Sequence, residues 1–388
     1  MSRLNSFLAG VKVLDLSQYI PGPLASLLLA DMGAEVLKIE PPSGDEMQNL
    51  GPRDDQDGPV FYRALNAGKT TRRMNLKDPD ARDEFLTLVH EADVLIESFR
   101  PGVMARLGLD YATLSALNPG LIYCSMSGYG ATGSLARTAG HDANYLALAG
   151  VLDRNGDDRP VFFDPPLADV SGSLFAAIAI LGALIGRRAT GRGCEIDLAL
   201  ADVVMPLQLL QVADFGANGS VPERRGTYLN GGAAYYQVYR TSDHRFVVLG
   251  GVEPKFWRAF CEAAERPDWI ERQSEPLPQT ELIGELSSFF EKLSLAQCVE
   301  RFSAADCCFS PVLNLGEALR SPRIMERGLV QTGPSSDLQA LFPALIDGVP
   351  SRPREDLRMA DDRTPSGAPA RPDDPPTDLR SSRPSSAR

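Results

Sequence analysis

Val11-Lys-Val-Leu-Asp-Leu16, the run Pro21 to Gly33 and Glu35-Val-Leu-Lys-Ile-Glu40 together decide the fold. The first and last are short, apolar and flanked by turn residues, as strands are. The run between them has Pro near its start and Gly at its end, the asymmetry of a helix. The pattern then repeats. Asp78-Pro79 caps and opens a helix that reaches about Ala92. Asp93-Val-Leu-Ile-Glu-Ser-Phe99 reads as a third strand and Leu121 to Ser127 as a fourth. Short apolar strands separated by helices predict a parallel sheet covered on both faces, an α/β fold.

Residues 169–215 are strongly helical. The longest apolar run, Leu174 to Gly186, falls short of the roughly 20 residues a membrane span needs and is bounded by Asp169 and Arg187. It predicts a buried core helix and no membrane partner. The composition changes after about residue 216. Tyr235 to Thr241 and Phe246 to Gly251 read as paired strands, with Ser242 to Arg245 as the turn. Helical stretches follow near 254–265 and 279–305. The expected division is a large domain over 1–216 and a small α+β domain over 217–320. A return segment follows over 321–350, then a tail over 351–388. The tail is rich in Pro, Arg, Asp and Ser, has no aromatic residue, and is expected to be irregular.

A length of 388 residues leaves room for two to three domains. The net charge of -12 argues against nucleic acid as a partner, because such proteins show a basic domain. Six cysteines without a CxxC or a Cys/His cluster make neither a disulfide scaffold nor a zinc site, so no metal is expected. Met1 to Gly10 has no apolar core of signal-peptide length, which points to the cytoplasm.

The chemistry-bearing candidates are few. Gly128-Tyr-Gly130-Ala-Thr-Gly133 matches GxGxxG after a strand. A dinucleotide site needs a helix at once and an acidic residue about 20 positions on. Here the next helix signal begins only near His141, so the segment reads as a glycine turn or a substrate loop. His141, one of three histidines, opens that helix. It could be a polar cap, or a working group where helix amides favour negative charge. Asp169 precedes the most apolar helix and reads as an N-cap, a role that does not exclude catalysis. Glu253 alone reads as a first-turn helix acid. Arg100 sits past the carboxyl end of a strand, where open parallel sheets bind ligands, and is a candidate phosphate contact. Lys38 has a similar placement. Arg72, Arg73 and Lys77 make a local basic patch.

Several dispersed blocks, in order, resemble the family III CoA-transferases (CaiB/BaiF). They are Leu8 to Leu16, Pro21-Gly-Pro23, Ala30 to Pro42 and Ala92 to Gly102. Gly140-His-Asp-Ala-Asn-Tyr145 and Gly226 to Ala233, with Gly251-Val-Glu-Pro-Lys-Phe256, are similar to the α-methylacyl-CoA racemases of that superfamily. The resemblance implies a Rossmann-like large domain, a smaller α+β domain and an interlocked homodimer. It implies His141 as the general base, Asp169 as its partner and Glu253 as support from the other chain. It also places the acyl-CoA thioester against Met74, Leu76, Lys77, Arg100, Gly140, Asp142 and Tyr145. Coenzyme A is then part of the substrate, and no separate cofactor is expected. The racemase arginine after the second strand is matched here by Pro41, and Lys38 is the candidate to supply that charge instead. The tail keeps an Arg-Thr-Pro pattern at Arg363 to Pro365 but lacks the family's closing helix.

The activity implied is interconversion of (R)- and (S)-2-methylacyl-CoA through an enolate. The alternative within the superfamily is CoA transfer between carboxylic acids through an anhydride on Asp169. A binding protein without turnover is a third reading, and the joint presence of His141 and Asp169 argues against it.

Overall fold

The computed structural model describes residues 3–360. Residues 361–388, with the Arg363 to Pro365 pattern, lie outside the described residues.

Seven parallel strands form the main sheet. They are β1 (Lys12–Asp15), β2 (Glu35–Glu40), β3 (Thr70–Arg73), β4 (Val94–Glu97), β5 (Ile122–Ser127), β6 (Glu195–Ala199) and a last strand near the end of the chain. The order of the first six is β3-β2-β1-β4-β5-β6. The chain therefore winds outward from β1, first one way and then the other. This is the doubly wound order, and its reversal lies between β1 and β4. Val13, on β1, pairs with Val36 on one side and Val94 on the other. Val13 and Leu14 on β1 and Leu95 and Ile96 on β4 are buried and apolar because helices cover both faces.

The Pro21–Asp31 helix starts on a proline and stops where Gly33 takes φ +100°. Only glycine adopts that angle cheaply. Asp78 caps the Pro79–Glu91 helix by accepting the amides of Asp80 and Ala81. One face of the sheet carries a core of Val13, Ala25, Leu29, Ile96, Ile122 and Ile180, and the other a core of Leu14, Phe85, Val89 and Leu95.

The apolar run at 174–186 belongs to a longer helix, Leu167–Thr190, of 24 residues. By length and composition it could cross a membrane. It packs instead on the Pro21–Asp31 helix and on β5. The expectation of a buried core helix needs correction. One face is buried through Ala176, Ala177 and Ile180, while Leu174, Ile178 and Ile185 stand exposed. The Leu209–Asn218 helix likewise exposes Leu209, Leu210, Val212 and Phe215.

The small domain has a three-stranded antiparallel sheet. It contains β7 (Tyr236–Arg240), β8 (Phe246–Gly250) and β9 (Phe309–Pro311), in that order. The expected hairpin is present, and β9 pairs along β8. The 279–305 stretch divides into helices Thr280–Phe290 and Leu295–Phe302, the second opened by a Ser294/Gln297 capping box. Trp257, Phe260, Trp269, Phe290 and Phe302 fill this core.

The chain then returns through the hairpin of β10 (Val330–Thr332) and β11 (Leu338–Ala340). Asp337 pairs with Arg63 of the large domain at 3.1 Å. The expected irregular tail does not begin at 351. Arg354 grips Asp31 with two bonds of 2.6 and 2.7 Å. β12 (Arg358–Met359) then extends the main sheet parallel to β3. Pairing with β3 and an ion pair, not apolar composition, hold this segment.

Candidate active site

The carboxyl ends of β1, β4 and β5 open on a cavity of about 370 Å³ at the strand-order reversal. Turns after all three strands reach it: Gln18 and Tyr19 after β1, Ser98, Phe99 and Arg100 after β4, and Gly128 after β5. Gly140, His141, Tyr145 and Asp169 complete the wall. The two residues singled out for proton transfer thus face one space, although 28 positions apart in sequence.

The local structure explains their placement. His141 is the N-cap of the Asp142–Leu148 helix, with an extended backbone, and its amide donates to Asn144 Oδ1 at 3.0 Å. Asp169 is not an N-cap. The Leu167–Thr190 helix is capped at Pro166, which has no side chain to offer, so Asp169 is its third residue. The missing cap comes from elsewhere in the chain. Asp142 Oδ1 accepts the amides of Ala168 at 2.6 Å and Asp169 at 3.1 Å. Asp142 Oδ1 thus joins the two helices, and Asp142 is not among the residues lining this cavity.

Burial, reinforced by the Asp142 carboxylate, pushes the Asp169 carboxyl up to about 6. A helix N-terminus by itself would favour the charged form. Desolvation and a like charge win here. The carboxyl is left close to neutrality, where one group can give and take a proton.

Tyr145 is buried and donates from its hydroxyl to Gly140 O at 2.6 Å. Tyr129 packs edge-on against it, with ring centroids 5.2 Å apart. A Cβ on Gly128 would lie 2.7 Å from the Tyr145 hydroxyl, and one on Gly140 would lie 2.7 Å from that of Tyr129. The GxGxxG segment is therefore a close-packed turn. Gly130 and Gly133 have positive φ, and the Ala131 amide is tied to Asp197 at 3.0 Å. No helix follows until Asp142. Tyr19 carries no motif that marks it in the sequence. It lines the cavity with φ +63°, a conformation costing an L-residue about 1–2 kcal/mol. Gln18 and Ser98 were also missed, and here the Gln18 amide donates to Ser98 Oγ at 3.0 Å.

The expected CoA contacts divide between two neighbouring spaces that share Phe99. Arg100 and Gly140 line the first. Met74, Leu76 and Lys77 line a second, smaller cavity of about 180 Å³ with Pro41, Pro42 and Val103. Arg100 and Lys77 are exposed. Lys38 does not fit its expected role. It is fully buried, donates to Ser17 O at 2.7 Å and pairs with Asp45 at 2.9 Å. Glu253 is exposed at the start of the Pro254–Ala263 helix and is not among the residues lining either cavity.

Comparison with known proteins agrees with this architecture. The model of CoA-transferase family III matches residues 8–357. The chain is 33% identical over 334 residues to acetyl-CoA:oxalate CoA-transferase of Acetobacter aceti, covering 83% of this chain and 84% of that enzyme. It is 32% identical over 350 residues to alpha-methylacyl-CoA racemase of Homo sapiens, covering 89% and 88%. A CAIB/BAIF family protein from Brucella suis has a similar structure, with TM-score 0.80, 27% identity, and coverage of 90% of this chain and 95% of that one. This chain belongs to CoA-transferase family III.

Proposed function

We propose that the protein is an acyl-CoA racemase that interconverts (R)- and (S)-2-methylacyl-CoA. The observation that carries this reading is that His141 and Asp169 face one cavity at the strand-order reversal. Racemisation needs one base on each face of the α-carbon. Neutral His141 or ionised Asp169 removes the α-proton, depending on the enantiomer bound. The protonated partner then returns a proton to the opposite face. The thioester carbonyl holds the charge as an enolate oxygen between these steps. Amides at the start of the Asp142–Leu148 helix are suited to stabilise that oxygen. The exposed Arg100 and Lys77 suit the phosphates of CoA, and the apolar slot at Met74 and Leu76 suits its ring.

A second copy supports this arrangement. The exposed apolar rows on the Leu167–Thr190 and Leu209–Asn218 helices suit burial in a homodimer, and a second copy could bring its own Glu253 to the cavity. All six cysteines are free, which suits a reducing compartment such as the cytoplasm.

CoA transfer is the second reading. It is favoured by the similarity to acetyl-CoA:oxalate CoA-transferase. There Asp169 would attack the thioester, form an acyl anhydride and release the CoA thiolate. His141 has no task in that scheme. Solvent-hydrogen exchange at the α-carbon tests the racemase reading. Exchange that disappears in His141→Ala supports it. Transfer to a free carboxylic acid that survives in His141→Ala, with hydroxylamine trapping at Asp169, supports the transferase.

A further inference from the structure

A buried ionic cluster bonds the segment that carries Gln18, Tyr19 and Pro21 to the cavity wall, and the mechanism above makes no use of it. Asp15, Lys38, Asp45 and Lys69 are each at most 1% exposed. Asp15 ends β1 and is paired in register with Lys38 on β2. Asp45 follows β2, and Lys69 immediately precedes β3. Lys38 Nζ lies 2.9 Å from Asp45 Oδ2, and Lys69 Nζ lies 3.3 Å from Asp15 Oδ2. Two carboxyl groups face two lysines, and burial pushes Lys69 down to about 7. A buried ion pair is a poor way to gain stability, because apolar side chains of similar volume often do as well.

The remaining bonds show what the cluster grips. Lys38 donates to Ser17 O at 2.7 Å, and Lys69 donates to Pro23 O at 2.8 Å. Asp15 accepts the Ser17 amide at 2.9 Å and the hydroxyls of Ser17 and Ser26. The cluster therefore holds the turn at Ser17, where it leaves β1, and at Pro23, in the first turn of the helix it leads into. The stretch between supplies Gln18, Tyr19 and Pro21 to the cavity wall. Tyr19 keeps its left-handed φ between these two anchors. Apolar replacements could fill the volume but could not donate to Ser17 O; Pro23 O also accepts the Ser26 hydroxyl at 3.2 Å.

We propose that Lys38 and Lys69, with Asp15 and Asp45, are positioning residues that clamp the Ser17–Pro23 segment, the turn and the helix start after it, and through it Gln18 and Tyr19, in the shape that receives the acyl-CoA thioester. This deepens the reading above and rests on it for the identity of the ligand.

The test is the double variant Lys38→Met/Asp45→Asn in the full chain. It removes one ion pair without leaving a lone charge. Asparagine also keeps the oxygen that accepts the Met47 amide. Hydrogen exchange would be read by mass spectrometry over 16–26 and over the small-domain hairpin 236–250. Affinity for a 2-methylacyl-CoA would be read by calorimetry. The expected result is at least tenfold faster exchange in the turn, unchanged exchange in the hairpin, and about tenfold weaker binding. Unchanged turn exchange and unchanged affinity would overturn the proposal and leave the cluster a purely structural role. If the double variant does not fold, the native protein decides. Turn amides as protected as β1 support the clamp, and amides that exchange like surface loops contradict it. Failure of the native protein to bind the thioester would count against the functional reading, while the exchange result would still decide the clamp.

Discussion

Asp142 caps the helix that carries Asp169: its Oδ1 accepts the Asp169 amide at 3.1 Å and the Ala168 amide at 2.6 Å. Asp142 is also the residue after His141. One carboxylate thus sets the spacing of the two proposed bases and raises the Asp169 carboxyl by repulsion.

Replacing Asp142 with Ala should therefore have two separable effects. Loss of the cap should cost about 0.5–2 kcal/mol in denaturant unfolding. Loss of the neighbouring charge should lower the Asp169 carboxyl toward its ordinary value, moving the acidic limb of the pH–rate profile to lower pH. A fall in stability without that movement would refute the electrostatic part.

Asp169 should also set a pH dependence of stability. Its carboxyl titrates near 6 in the folded chain against an ordinary 3.8, chiefly because burial disfavours the charged form. Its contribution is then fully present below about pH 4 and is lost as pH rises through 6. Asp169→Asn escapes that loss. Relative to the native chain, it should gain on the order of 2 kcal/mol between pH 4 and pH 8, with partial exposure allowed for. Denaturation midpoints at the two pH values check this.

Gly140→Ala should impair the site without a backbone penalty, because its φ is ordinary. The added Cβ would lie 2.7 Å from the Tyr129 hydroxyl and 2.9 Å from Tyr145 Cε1. The Tyr145 bond to Gly140 O must then shift, and His141 with it. We expect kcat to fall at least tenfold while the melting temperature drops by only a few degrees. Native kcat would show that the aromatic pair gives way freely.

Arg354→Ala tests the ordering of the C-terminal segment. The guanidinium and Asp31 are both largely buried, with side-chain exposures of 11% and 7%. Removing one partner leaves the other charge uncompensated, at a cost of about 1.5–3 kcal/mol. Limited proteolysis should newly cut within 351–360. Unchanged proteolysis would place the ordering force elsewhere.

The sequence revealed what repeats locally. Four apolar strands, the Asp78 cap, the small-domain hairpin and the Pro21 helix are all visible in residue pattern. β3 was not, because Thr70 to Arg73 contains no apolar residue and becomes a strand only through its neighbours β2 and β12. β6 alternates charged and apolar residues inside the 169–215 stretch that reads as helical, and β12 is only two residues long; both become strands through their neighbours β5 and β3. His141 and Asp169 came from resemblance, since a lone histidine or a helix-start aspartate reads equally well as a cap. The partners of Lys38 and of the Asp142 carboxylate were hidden for one reason. Sequence shows that a charge is present, but not which buried carbonyl or amide it meets across the fold.

The most direct measurement uses one enantiomer of a 2-methylacyl-CoA in heavy water, with the α-position followed by proton NMR and the optical purity of the thioester by chiral analysis. The account predicts deuterium incorporation together with loss of chirality. Both should slow by about 10²–10⁴ in His141→Ala and Asp169→Asn, with thioester binding retained. An α-proton that stays in place, while CoA passes to an added carboxylic acid, would contradict the racemase account.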